Sequence, residues 1–129
     1  MTPVFIAVAQ AADPTIVVTG AREAVEQSQA PVSARILDEE VIEALSLPAA
    51  ADFLRLVPGA SVAVTGPRGT QTQLRLRGAE ANHSLLFVDG IRFNDPAAGN
   101  EARFELLAAD LLTRIEVVRG PQSALGGSE

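Results

Sequence analysis

The sequence of 129 residues lacks cysteine, tryptophan, tyrosine and lysine altogether, and only 4% of its residues are aromatic. Without cysteine there is neither a disulfide framework nor a thiolate metal site. His83 is the single histidine, so a zinc site is not expected, and we place this side chain in a solvent-facing loop. No apolar run approaches the roughly 18 residues that a membrane-spanning helix needs.

The charge balance is acidic, with a formal net charge of -6, and all ten basic residues are arginine. Binding of nucleic acid needs a basic surface, so we predict no nucleic-acid partner. The chain is 47% hydrophobic and 20% charged, which is enough for the core of one domain.

No pattern in the sequence supplies a catalytic centre. His83 and Ser84 are adjacent, which puts their side chains on opposite sides of an extended segment. The stretch GPRGTQTQ, residues 66–73, has neither the P-loop nor the dinucleotide spacing. The acidic residues Asp89, Asp95, Glu101 and Glu105 do not have the spacing of a calcium loop. We therefore predict no catalytic residue, no metal site and no cofactor, and a small hydrolase or nucleotide-binding enzyme is the least favoured class.

The N-terminal part divides into two segments. Residues 1–12, MTPVFIAVAQAA, resemble the remnant of a truncated signal peptide, although an apolar N-terminus is the alternative. Residues 13–30 contain the β-prone run DPTIVVTG followed by a polar linker. From the residues alone, this run is either a first strand of the domain or a tethered strand that adds to another protein's sheet edge.

The main domain is expected over residues 31–129. A strand at 31–37 leads to a helix capped by Asp38, which should end before Leu47-Pro48. A second helix follows, with Phe53, Leu54 and Val57 on one side, and Pro58-Gly59 ends it. A strand at 60–65 and a loop at 66–73 come next.

The central stretch, residues 73–90, reads QLRLRGAEANHSLLFVDG and predicts two short strands joined by a polar loop. Its Asp89-Gly90 pair is a strong signal for a hairpin into residues 91–93. Residues 101–112 have apolar side chains near helical spacing, and residues 114–119 predict a strand. The final residues form a Gly/Ser loop, so we expect the domain to be truncated at its C-terminus.

Two arginines end predicted strands in the same local pattern, an apolar residue, then Arg, then Gly: Leu76-Arg77-Gly78 and Val118-Arg119-Gly120. Either both are solvated strand ends, or each is buried and needs an acidic partner. For Arg77 we expect a position near a buried edge.

In their order, the motifs DPTIVVTG, LRLVPGASV, LRLRG, LLFVDGIR and RIEVVRGPQSALGGSE resemble the plug domain of TonB-dependent outer-membrane receptors, most of all the cobalamin and siderophore receptors. The resemblance implies an α+β fold with a small mixed sheet and short helices. It also implies a plug that sits inside a transmembrane β-barrel of the bacterial outer membrane and gates uptake of a metal chelate or cobalamin.

The resemblance also assigns residues. It implies that Thr15, Ile16, Val17, Val18 and Thr19 form the TonB box, which pairs as a strand with the C-terminal domain of TonB. It implies that Arg77 and Arg119 pair with barrel glutamates. It implies ligand-facing loops, here carried by Pro67, Arg68, Thr70, Gln71, Asn94 and Asp95.

Three features depart from the family pattern. We expect the barrel to be missing, since 129 residues cannot supply the roughly 22 strands of such transporters. Leu125-Gly126 stands where the family usually has an aromatic residue, and the signal sequence is incomplete. The alternative function is therefore a stand-alone periplasmic binding or signalling module derived from a plug.

Overall fold

The computed structural model describes residues 4–5, 16–17, 25–26 and 33–120. Within them lie short strands and two α-helices, joined by turns of 3-10 helix. The strands are β1 Val4–Phe5, β2 Ile16–Val17, β3 Val25–Glu26, β4 Ser33–Leu37, β5 Ala60–Val64, β6 Thr72–Leu76, β7 Leu86–Val88, β8 Ile91–Arg92, β9 Asn94–Asp95, β10 Glu101–Ala102 and β11 Ile115–Arg119. The helices are α1 Glu39–Leu45 and α2 Ala50–Leu54. No helix in this part of the chain is long and apolar enough to span a membrane.

The main sheet has five strands in the order β4-β11-β1-β7-β8. Strand β11 pairs antiparallel with β4 along its whole length, from Ile115 opposite Leu37 to Arg119 opposite Ser33. On its other edge it pairs with the two-residue strand β1, which in turn runs parallel to β7. The sheet is therefore mixed, and with its short helices the domain has the α+β class expected from the sequence.

The remaining described strands form three antiparallel pairs: β5 with β6, β9 with β10, and β2 with β3. In the first pair, Leu74 and Leu76 point into the core while Arg75 is exposed, as the period-2 pattern predicts. Both α-helices lie on the same main core, where Phe53 and Leu54 of α2 are fully buried.

Helix α1 follows its sequence signals closely. The Asp38 side chain accepts a hydrogen bond from the Val41 N–H at 3.0 Å, which satisfies one of the free donors at the helix start. The helix ends at Leu45, and Ser46 adopts a left-handed φ of 47° as the C-terminal cap. The prediction that the helix stops before Leu47-Pro48 is confirmed.

The two strands predicted in residues 73–90 are present, but they do not pair with each other. Strand β6 pairs with β5, whereas β7 lies in the main sheet and pairs with β8. The Asp89-Gly90 hairpin joins β7 to β8, and both turn residues have positive φ, as a type I′ turn requires. The 3-10 turn Ala81–His83 occupies the polar loop between β6 and β7, and His83 is exposed as expected.

The helix predicted over residues 101–112 is wrong. Strand β10 starts this segment, and two 3-10 turns follow at Phe104–Leu106 and Ala109–Leu111. Besides the bonds within its 3-10 turns, its backbone bonds the chain at the start of α2: the Ala50 N–H donates to the Leu107 carbonyl at 3.3 Å, and the Ala109 N–H donates to the Pro48 carbonyl at 3.5 Å. These tertiary bonds override the helical spacing of the apolar side chains.

Strand β11 carries a buried ion pair that the sequence reading did not identify. The Arg114 Nε lies 2.8 Å from the Glu116 Oε1, and the two side chains are 4% and 0% exposed. Ile115 and Val117 face the main core, while Val118 packs on the other side of the sheet with Ala34, Ile36 and Phe87. Four consecutive residues of β11 are therefore buried, which includes both faces of the strand.

Replacing Glu116 with alanine leaves the Arg114 guanidinium buried without this carboxylate. We expect the free energy of unfolding to fall by about 3–5 kcal/mol. Urea unfolding followed by far-UV circular dichroism measures this, since the chain has no Trp or Tyr fluorescence.

The control for position is the exposed Glu80→Ala, for which we expect a change within about 0.5 kcal/mol. The control for chemistry is the double substitution R114M/E116L, which should recover most of the loss because apolar side chains of similar volume replace the pair. A loss under about 1 kcal/mol for Glu116→Ala would contradict this assignment.

Candidate functional site

Arg77 follows the end of β6 and starts a tight turn. Its backbone N–H donates to the Gly59 carbonyl at 2.8 Å, and its φ of 52° is left-handed. The residue is exposed, and its guanidinium makes no hydrogen bond or ion pair with the described residues. The expectation that Arg77 lies near a buried edge is therefore wrong, because the turn directs the residue out to solvent.

Arg119 ends β11 and is half-buried. Its Nη1 donates to the Pro58 carbonyl at 2.8 Å, and its Nη2 donates to the Ser33 Oγ at 2.8 Å. The Nε–H of this side chain is buried and finds no hydrogen-bond partner among the residues that the structure describes. Arg119 thus ties the start of β4 to the turn after α2, and one donor remains unsatisfied.

Both arginines converge on the turn at Pro58 and Gly59, so the structure brings together the two residues that the repeated Arg-Gly pattern singled out. Arg119 holds one carbonyl of this turn through its side chain, and Arg77 holds the next through its backbone. Together with Ser33, these residues form what we call the arginine corner. Gly59 has a φ of 79°, so the turn itself requires glycine.

Of the predicted docking strand, Ile16 and Val17 lie within the described residues. They form β2, and they pair antiparallel with Glu26 and Val25 respectively. Thr15, Val18 and Thr19 lie outside the described residues. The segment that leads from β3 into the domain arrives at Ser33, where β4 begins at the arginine corner.

The first predicted ligand loop, residues 66–71, is closed by its own polar groups. Thr70 donates twice to the Pro67 carbonyl, from its backbone N–H at 3.1 Å and from its Oγ1 at 2.8 Å. At the base, the Gln71 carbonyl accepts from the Thr65 N–H at 3.2 Å. These bonds leave Arg68 exposed at the tip, with no bond from its guanidinium to the described residues.

In the second predicted ligand loop, Asn94 and Asp95 use their side chains within the domain. The Asn94 Oδ1 accepts from the Leu86 N–H at 2.9 Å, and its Nδ2 donates to the carbonyls of Ser84 and Asn100. The Asp95 Oδ1 accepts from the Ala97 N–H at 2.9 Å. Both side chains shape the loop, and their contact with a ligand stays a prediction.

A set of polar contacts joins the two loops at their bases. The Glu101 carboxylate accepts from the Gln71 Nε2 at 3.0 Å and from the Gln73 Nε2 at 2.8 Å. The Glu105 Oε2 accepts from the Thr72 N–H at 3.4 Å, and its Oε1 lies 2.8 Å from the Arg103 Nε. We call these six residues, Gln71, Thr72, Gln73, Glu101, Arg103 and Glu105, the loop clamp.

The sequence reading weighed Glu101 and Glu105 as a calcium cluster and missed the clamp. A signal was present, since the charges of Glu101, Arg103 and Glu105 alternate in sign at every second residue. The apolar spacing over the same residues pointed to a helix and hid this pattern.

Two clefts flank the loops. The first, about 280 Å³, lies between the first loop and α2; it is lined by Ala49, Ala51, Asp52, Arg55, Val64, Gly66, Arg68, Gly69, Thr72, Phe104 and Glu105. The second, about 330 Å³, lies beside the second loop; it is lined by Arg92, Phe93, Asn94, Asp95, Pro96, Arg103 and Leu106. Among the described residues, no three His, Asp or Glu side chains are grouped to hold a metal ion.

The hairpin of β5 and β6 separates the arginine corner from the loop clamp. Its ladder runs from Ala60 opposite Leu76, next to the corner, to Val64 opposite Thr72, next to the loops. Four steps of roughly 3.3 Å put these ends about 13 Å apart. The domain therefore has a tether end, where the chain that follows β3 enters β4 at Ser33, and a loop end.

Comparison with known proteins identifies the family of the chain. The sequence profile of the family described as TonB-dependent Receptor Plug Domain matches residues 26–129. Two proteins named vitamin B12 transporter BtuB, from Vibrio vulnificus, are similar to this chain over 115 residues: that of strain YJ016 is 36% identical and that of strain CMCP6 is 33% identical. Each match covers 89% of this chain and 19% of the relative, so the chain spans about a fifth of the length of these relatives. The chain belongs to the family of plug domains of TonB-dependent receptors.

Proposed function

We propose that this domain is the non-enzymatic plug of an outer-membrane receptor that takes up a scarce nutrient with energy delivered through TonB. In this role it sits within a transmembrane β-barrel in the bacterial outer membrane. It closes the pore, carries part of the ligand site on its loop end, and receives TonB through its N-terminal segment. Family membership supports the plug role, and the relatives' name supports cobalamin as the first ligand to test.

The observation that carries the proposal is the state of Arg77 at the arginine corner. A non-glycine residue with left-handed φ costs roughly 1–2 kcal/mol, so a residue kept there calls for a reason. The Arg77 guanidinium is exposed and makes no hydrogen bond or ion pair among the described residues, and its backbone N–H holds the carbonyl next to the one that Arg119 holds. An exposed guanidinium at this corner is suited to bind a carboxylate from outside the domain, such as one on a surrounding barrel.

The short ladder between β2 and β3 supports docking of TonB by strand addition. It pairs two residues with two, and an isolated pair of strands is at best marginally stable in water. Exchange of β3 for a strand of the TonB C-terminal domain would replace these main-chain hydrogen bonds with equivalent ones. Because the segment lies between β1 of the main sheet and Ser33, a pull on it would load both the pairing of β1 and the bond between Ser33 and Arg119.

The loop end supplies the proposed ligand contacts. Arg68 is the charged group of the first loop that is left without a partner among the described residues, and Pro67, Thr70 and Gln71 surround it in the sequence. A guanidinium at a loop tip favours a ligand with acceptor groups, such as the carboxylates of a metal chelate or the amides and phosphate of cobalamin.

Docking by strand addition predicts that proline in β2 abolishes binding of the TonB C-terminal domain. Val17→Pro removes a main-chain donor, and we expect the Kd for the intact 129-residue chain to rise at least about tenfold. Isothermal titration calorimetry measures the Kd.

The matched control is Val25→Pro, which disrupts the intramolecular partner strand β3 and leaves the docking strand intact. We expect this variant to bind TonB at least as tightly as the unchanged chain. Absence of binding to the unchanged chain, or equal affinity for Val17→Pro, would count against docking through this segment.

The two arginines are expected to differ in what they do for the isolated domain. Arg119→Lys loses a two-nitrogen contact to Pro58 and Ser33, so the free energy of unfolding should fall by about 1.5–3 kcal/mol. Arg77→Lys should change it by less than about 0.5 kcal/mol, because the exposed guanidinium stabilises nothing within the described residues. Urea unfolding of both variants measures these changes. Equal losses of unfolding free energy would mean that Arg77 stabilises the domain itself and does not serve a partner.

A further inference from the structure

Glu101 connects the two predicted ligand loops, the second through its backbone and the first through its side chain. Its backbone pairs with Asp95 through β9 and β10, which closes the second loop. Its two carboxylate oxygens each accept one carboxamide donor, Oε2 from Gln71 at the base of the first loop and Oε1 from Gln73 on β6. These partners are 30 and 28 residues away in sequence.

A second connection runs beside the first. Glu105 accepts from the backbone N–H of Thr72, the residue between the two glutamines, and its side chain is 4% exposed. Arg103 lies between this carboxylate and that of Asp95, at 2.8 Å from Glu105 and 3.4 Å from Asp95. Three consecutive residues, Gln71 of the first loop and Thr72 and Gln73 of β6, are thus held by the carboxylates of Glu101 and Glu105.

We infer that Glu101 is a positioning residue that joins the two loops into one ligand-recognition surface. The inference rests on the proposed function, in which residues 66–71 and 94–99 face the ligand. Glu101 does not itself need to contact the ligand, because both of its oxygens already accept hydrogen bonds.

The reason for such a clamp is the entropy of ordering. Two separate loops would each lose conformational freedom when a ligand brings them together, and that cost subtracts from the affinity. Loops held beforehand by two hydrogen bonds to a charged acceptor have already met part of this cost. The clamp can be weakened by a single substitution, because loss of one Glu101 carboxylate oxygen as an acceptor breaks one of the two hydrogen bonds to Gln71 and Gln73.

Glu101→Gln tests the inference in the intact 129-residue chain. The new carboxamide keeps one acceptor oxygen and places an NH₂ group against a glutamine NH₂ group. One of the two side-chain hydrogen bonds is therefore lost. We expect amide hydrogen exchange to become at least about fivefold faster in residues 65–71 and in residues 94–100 together, while β4 and β11 keep their rates. NMR of the backbone amides and of the Gln71 and Gln73 side-chain NH₂ groups measures this.

A positioning role is distinguished from a merely structural one by the urea midpoint. We expect the midpoint of Glu101→Gln to match that of the exposed control Glu80→Gln, with the change confined to the loops. A fall in midpoint with faster exchange throughout the domain would overturn the inference. So would faster exchange in residues 94–100 alone, or in neither loop.

The double variant Q71A/Q73A cuts the same contacts from the other side without touching Glu101. Residues 94–100 should then exchange faster to a similar degree, and unchanged exchange there would overturn the inference even if Glu101→Gln failed to fold. Binding of vitamin B12, used as the probe, is measured separately. Absence of binding would count against the proposed ligand, whereas the exchange experiments decide the clamp.

Discussion

The pairing of β11 with β4 is the constraint on which the rest of the domain depends. Strand β11 is bonded to β4 along its whole length and is buried from Ile115 to Val118. Slippage by one residue would turn Glu116 into the main core and Ile115 out of it, so the register is strongly specified. That register places Arg119 opposite Ser33, from which the guanidinium reaches both Ser33 and Pro58. The arginine corner is thus a consequence of how the central strand packs.

The hairpin of β5 and β6 connects the arginine corner to the loops at the other end of the domain. Leu74 and Leu76 anchor it in the core, and the five pairs of its ladder hold the ends at a fixed separation. Strand β6, which Arg77 follows, begins at Thr72, between the two glutamines that Glu101 binds. The tether end and the loop end therefore belong to one short, well-paired element.

The sequence predicts those parts of the fold whose causes are local. Asp38, the left-handed Ser46 and the following proline lie within one stretch, and they bound α1 without help from distant residues. The Asp89-Gly90 turn is equally local. The helix prediction for residues 101–112 failed because this segment has backbone partners near Pro48, far away in sequence. A local sequence pattern does not reveal such partners. For the same reason β6 could be identified as a strand while its partner could not.

In the candidate site too, features with local causes were predicted from the sequence and features with distant partners were not. The repeated Arg-Gly pattern singled out Arg77 and Arg119, but only the folded chain shows that one is exposed and the other half-buried, because that depends on the turn at Pro58 and Gly59. The loop clamp depends on contacts across about thirty residues of sequence. Its alternating charges are visible in the sequence, yet the side-chain partners of Glu101 are the neutral Gln71 and Gln73, which no charge pattern identifies.

The contacts of the arginine side chains give a physical reason for the use of arginine in place of lysine. Arg119 binds a carbonyl and a hydroxyl with two different nitrogens, and Arg103 approaches two carboxylates in the same way. A planar guanidinium holds two acceptors in fixed directions, whereas an ammonium is a compact point charge without that fork. In this domain arginine therefore acts as a connector between chain segments. The exposed Arg77 offers the same fork at the corner where the N-terminal segment arrives, so a carboxylate from a partner could be held there with the geometry that Arg119 uses inside the domain.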